Sequence, residues 1–95
     1  MSEPIQRLLV RAPNWLGDAV MALPAMAAVR RAFPDASLTV AAISGVAPLF
    51  REDTPVAPDD VLTLDPGREP AQLRAGQFDS VILFPNSFRS AWVTR

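Results

Sequence analysis

"QRLLVRAPNWLGDAVMALPAMAAVRRAFPDASLTVAAI" (residues 6–43) is the stretch whose reading decides the fold. Residues 6–11 hold a leucine and β-branched run without polar–apolar alternation, as in a strand covered on both faces. Residues 18–33 carry helical spacing. Val20, Leu23 and Ala27 fall on one line, and Ala22, Met26, Val29 and Phe33 on another, with Pro34-Asp35 closing the helix. Residues 37–43, "SLTVAAI", read as a second buried strand. Pro24 is awkward in this helix, because its missing N–H leaves the Val20 carbonyl without a partner. It predicts either a bend or a tight first turn ahead of the main helix.

The rest of the chain continues the alternation. "GVAPLFRE" (residues 45–52) is a short helix with Pro48 in its first turn. "DVLTLD" (residues 60–65) is a short third strand at the sheet edge. "EPAQLRAG" (residues 69–76) is a brief helix with Pro70 near its start and Gly76 as its stop. "SVILF" (residues 80–84) is the fourth and most apolar strand, with Val81, Ile82 and Leu83 buried beside the first. "PNSFRSAWVTR" (residues 85–95) begins a loop and a helix. Strands alternating with helices predict an α/β fold, a Rossmann-like doubly wound parallel sheet of order 3-2-1-4. The last helix has no room to cover the sheet, so residues 1–95 are expected to be part of a longer protein.

Composition narrows the chemistry. The 95 residues suffice for one small domain, and 49% apolar content is too high for a disordered chain. A net charge of −1 gives no electrostatic footprint for nucleic acid. All nine basic residues are arginine, and there is no cysteine, histidine or tyrosine. Disulfides, thiolate or imidazole nucleophiles and the usual zinc sites are therefore excluded. Catalysis must rest on carboxylates, hydroxyls, amides and arginines. The N-terminus lacks the charged and apolar regions of a signal peptide, and the longest apolar stretch, residues 19–29, is too short to span a bilayer. The reading is a soluble, intracellular protein.

In an open α/β sheet, ligands bind beyond the carboxyl ends of the strands where the strand order reverses. Here that crevice lies between the first and fourth strands, and its lips are "APNWLGD" (residues 12–18) and "PNSFRS" (residues 85–90). Asn14, Asn86, Ser87 and Ser90 suit a polyhydroxylated ligand. Arg89 offers a two-pronged grip on a carboxylate or phosphate. Trp15 and Phe88 offer flat faces for a sugar ring. Gly17 is the single glycine of a turn that would hold phosphate with several, and Asp18 after it would repel a pyrophosphate. A dinucleotide site is thus disfavoured. Asp18, the only carboxylate at either lip, suits a general base acting on an alcohol. Each residue also has a plainer role. Asp18 would cap the helix and complement its dipole, Asn86 and Ser87 would cap the last helix, and Trp15 would cover the core. Met21 and Met26 read as a core pair. Asp59-Asp60 and Arg51-Glu52-Asp53 read as solvated turns, with metal binding the remote alternative.

"RAPNWLGDAVMALPAMAAVRRAFPDASLTVAA", "APLFR" and "FDSVILFPNSFRSAW" together resemble the start of the bacterial ADP-heptose:lipopolysaccharide heptosyltransferases. The forms "PNWLGD" and "PNSFRSA" look like the type II members, which add the second inner-core heptose. The likeness spans nearly the whole chain and is loosest over residues 54–76, to which no function is assigned. It implies two Rossmann-like domains in the glycosyltransferase B arrangement. Residues 1–95 would then be part of the N-terminal, acceptor-binding domain, with the donor-binding C-terminal domain outside this chain. It further implies inverting transfer without a metal or other cofactor, with Asp18 as the base. Placement at the two lips, rather than the resemblance, puts Asn14, Trp15, Gly17, Asn86, Ser87, Arg89 and Ser90 around the substrate. The implied partners are ADP-heptose, bound by the other domain, a heptosyl-Kdo-lipid A acceptor, and the cytoplasmic face of the inner membrane. A related sugar transferase with another acceptor and a non-catalytic α/β binding module are the alternatives.

Overall fold

In the computed structural model, which describes residues 5–84, strands and helices alternate along the chain. The elements are β1 (Arg7–Arg11), α1 (Leu16–Ala32), β2 (Ser37–Ile43), α2 (Ala47–Arg51), β3 (Asp60–Leu64), α3 (Glu69–Ala75) and β4 (Ser80–Leu83). The strands form one sheet in the order β3-β2-β1-β4, and every neighbouring pair is parallel. The expected doubly wound order is therefore present.

Register explains why the central strands lack alternation. Leu8 and Val10 pair with Leu38 and Val40, and these side chains meet Ala19, Ala22 and Met26 of α1 and Phe50 of α2 in the main core. Leu9 faces the other way, into a smaller cluster with Ala41, Leu64, Leu73 of α3 and Phe78. Both faces of β1 and β2 are thus apolar.

Three details differ from the expectation. First, the buried line of α1 is Asp18, Ala19, Ala22, Met26 and Ala27, whereas Val20 and Met21 are exposed. The alanines let the helix lie close to the sheet, which turns the larger Val20 and Met21 outward; Met21 is no core partner of Met26. Second, α1 runs unbroken through Pro24 rather than splitting off a first turn. Val20 and Pro24 are both exposed, so water can serve the carbonyl that the proline leaves unbonded. Third, β4 is not buried throughout. Ile82 packs on the main core, but Val81 is 46% and Leu83 68% exposed. They point to the face of Leu9 and Arg11, their register partners, where Leu73 of α3 packs on the cluster of Leu9, Ala41 and Leu64 and neither Val81 nor Leu83 joins it.

Two aspartates fasten parallel strands at their starts. The Gln6 and Arg7 N–H groups donate to Asp79 Oδ2 (2.9 and 2.7 Å), while the Asp79 N–H donates to the Arg7 carbonyl (2.8 Å). Asp59 repeats the device one strand pair away. The Leu38 N–H donates to Asp59 Oδ2 (2.8 Å) and the Asp59 N–H to the Leu38 carbonyl (2.8 Å). Asp59 also pairs with Arg30 at 3.0 Å, so it is a tie between α1, β2 and β3 rather than a merely solvated turn residue.

Candidate functional site

The carboxyl ends of β1 and β4 meet. The Ala12 N–H donates to the Ala41 carbonyl (2.9 Å), and the Phe84 N–H donates to the Arg11 carbonyl (3.0 Å). The loop after β1 and the chain leaving β4 therefore start from adjacent points, where the strand order reverses. Asn86, Ser87, Phe88, Arg89 and Ser90 lie outside the described residues, so only the root of the second lip, at Phe84, is in view.

The first lip is complete. Ala12 and Pro13 are buried and Asn14 is half-buried. Trp15 is the N-cap, extended at φ −103° and ψ 135°, with no side-chain cap bond; its carbonyl accepts from the Ala19 N–H at 2.8 Å. The indole is 68% exposed, so it does not cover the core. Gly17 is exposed, and a Cβ there would meet nothing within 4 Å, so packing does not demand a glycine.

The helix starts at Leu16, which makes Asp18 its third residue and not its cap. Asp18 is only 8% exposed. A carboxylate in the first turn gains from the helix dipole, roughly 0.3–1 kcal/mol. It is otherwise unengaged: among the described residues no hydrogen bond or ion pair reaches it. The chain's other anchoring carboxylates are occupied. Asp79 takes two backbone N–H groups and Glu69 takes Arg11. Asp59 takes the Leu38 N–H, which, with Arg30, holds its pKa below 3.8 against a smaller opposing effect of burial.

Arg11 was not singled out by sequence. Its side chain is 13% exposed and forks onto Glu69, the first residue of α3, with Nε–Oε1 2.5 Å and Nη2–Oε2 3.3 Å. Its Nη1 also donates to the Ala12 carbonyl. The available signal was an arginine ending an apolar strand immediately before the candidate loop. Among the described residues no group of three acidic side chains is placed to hold a metal ion, and no helix is long and apolar enough to cross a membrane.

No protein-family model and no curated protein matches the sequence. A solved structure does match, a glycosyl transferase family 9 protein from Veillonella parvula DSM 2008, with a TM-score of 0.70 over 100% of this chain. The fold is that of part of a family 9 glycosyltransferase. Sequence identity to that protein is 20%, so the likeness is one of fold. The chain spans 31% of the length of the family 9 protein.

Proposed function

We propose that this chain is the acceptor-side half of an inverting glycosyltransferase that moves heptose from ADP-heptose to the lipopolysaccharide inner core, as the second heptose. The observation that carries the proposal is Asp18, a residue only 8% exposed whose carboxylate is engaged by no described structural partner, beside the sheet's switch point. Nothing in the packing of α1 requires a carboxylate there. The family 9 fold and the resemblance of "PNWLGD" and "PNSFRSA" to heptosyltransferase motifs support the same assignment.

In this mechanism Asp18 accepts the proton of the acceptor hydroxyl as that oxygen bonds to the anomeric carbon. The bond from the anomeric carbon to the ADP oxygen breaks on the opposite face, and ADP leaves with the electron pair. The carboxylate does its work as the centre gains oxocarbenium character, as carboxylates do in glycoside cleavage. Asn14 and Trp15 of the first lip, and Asn86, Ser87, Arg89 and Ser90 of the second, would hold the acceptor. Gly17 leaves room beside Asp18 for the approaching sugar. ADP-heptose would be held by a C-terminal domain outside this chain. The lipid-linked acceptor places the reaction at the cytoplasmic face of the inner membrane.

The test is transfer by the protein that carries both halves, with heptosyl-Kdo-lipid A as acceptor. Heptose transfer from ADP-heptose with inversion is the expected result. Transfer from a different nucleotide sugar alone would assign the chain to a related transferase. Failure of every nucleotide sugar to react would leave a binding module and refute the proposal.

A further inference from the structure

The loop that presents Asn14, Trp15 and Asp18 leaves the sheet at Ala12, where the Ala12 N–H is held by the Ala41 carbonyl and further ties run through Arg11. The Arg11 carbonyl accepts from the Phe84 N–H, which joins the root of the second lip to β1. The Arg11 guanidinium donates to the Ala12 carbonyl on one side and to both carboxylate oxygens of Glu69 on the other. Glu69 opens α3, which packs through Leu73 on the opposite face of the sheet from α1. One side chain thus joins the loop root to the helix beneath it. Its planar fork allows this, because a guanidinium presents donors in several fixed directions at once, whereas an ammonium is a single point charge. The pair is largely withdrawn from water, with side chains 13% and 34% exposed, so it is screened less than a surface pair.

The geometry points to Arg11 as the positioning residue of the first lip: braced by Glu69, it holds the Ala12 carbonyl and so sets where the loop carrying Asp18 leaves the sheet. This rests on the assignment of Asp18 as the base. Arg11 itself touches no reacting atom in that mechanism. A loop displaced by about 1 Å is enough to cost on the order of 10²-fold in rate when the displaced group must meet a reacting atom.

The experiment compares Arg11→Lys and Glu69→Gln with the wild type by two readouts. Amide exchange, read by NMR, is followed at Ala12 and Ala19, whose hydrogen bonds bracket the loop, with Leu38 and Val40 of β2 as internal controls. Single-turnover transfer is measured in the protein with both halves. Both variants should speed exchange at Ala12 and Ala19 at least tenfold while the β2 amides keep wild-type rates, and should lower kcat by roughly 10–100-fold with KM within twofold. Lysine should not rescue, since it keeps the charge and loses the fork. Unchanged exchange at Ala12 and Ala19 in both variants overturns the inference, whatever the activity. Faster exchange with an unchanged kcat also overturns Arg11 as a positioning residue and leaves Asp18 as the base to be judged by Asp18→Asn.

Discussion

Gly76 sets two physical effects of opposite sign against each other. Its backbone, φ −76° and ψ −14°, is ordinary right-handed helix, open to any residue. On that ground alone Gly76→Ala should stabilise by about 0.4–1 kcal/mol, because alanine has fewer unfolded conformations to lose. A Cβ at this position, however, would stand 2.1 Å from Cε2 and 2.6 Å from Cζ of Phe78. The ring must give way by roughly 1.3 Å, the gap from 2.1 Å to ordinary contact at 3.4 Å. That movement is not free. Phe78 packs on the cluster of Leu9, Ala41 and Leu64, and the Arg7 guanidinium lies 5.4 Å from its centroid. Overpacking of this kind costs about 1–3 kcal/mol, and losing an exposed cation–π contact adds about 0.5–1 kcal/mol. The clash should win, leaving Gly76→Ala about 0.5–3.5 kcal/mol less stable, with Tm lower by about 4–8 °C per kcal/mol. Thermal unfolding checks this, together with the same substitution made in Phe78→Ala. With the ring gone, Gly76→Ala should turn neutral or stabilising. A Gly76→Ala protein as stable as wild type, or more so, would refute the reasoning.

The pH dependence of Asp59 follows from its lowered pKa. Its contribution is present above 3.8 and is lost as the pH falls through the lower folded value, so wild type should lead Asp59→Asn in urea unfolding at pH 6 and converge with it in strong acid. Since the Asp59 side chain is half exposed, the lead should be modest, and a gap that does not shrink on acidification would contradict the assignment. In the core, Met26→Ala should cost about 2–5 kcal/mol while Leu83→Lys stays within about 0.5 kcal/mol, as calorimetric melting would report.

The parts of the fold legible in the sequence were those where burial is two-sided. The runs in β1 and β2 lack alternation because both faces are covered, and the strand order followed from the alternation of elements. The same apolar signature misled at β4, because an apolar run looks alike whether its second face is covered or open. Asp59 could not be recognised as a tie, since what it binds, the Leu38 N–H, depends on the register between strands. Gly76 does end α3, as read, but with a right-handed backbone: its absent side chain makes room for Phe78, and the left-handed residue there is Gln77, at φ 53°. At the candidate site the position of Asp18 was legible and its surroundings were not. A helix starting at Leu16 instead of Asp18 moves the carboxylate from the cap into the first turn, and local spacing does not fix that offset.

The central claim is that Asp18 takes a proton, and Asp18→Asn tests it most directly. Asparagine keeps the shape of the side chain, and Asp18 is not the helix cap, so the variant should lose only the dipole interaction, about 0.3–1 kcal/mol. An amide cannot accept the proton of a sugar hydroxyl near neutral pH. In the protein with both halves, single-turnover transfer should therefore fall about 10²–10⁴-fold while melting temperature and affinity for both substrates stay near wild type. Near-native turnover in Asp18→Asn would contradict the account and leave Asp18 as a charge at the start of a helix.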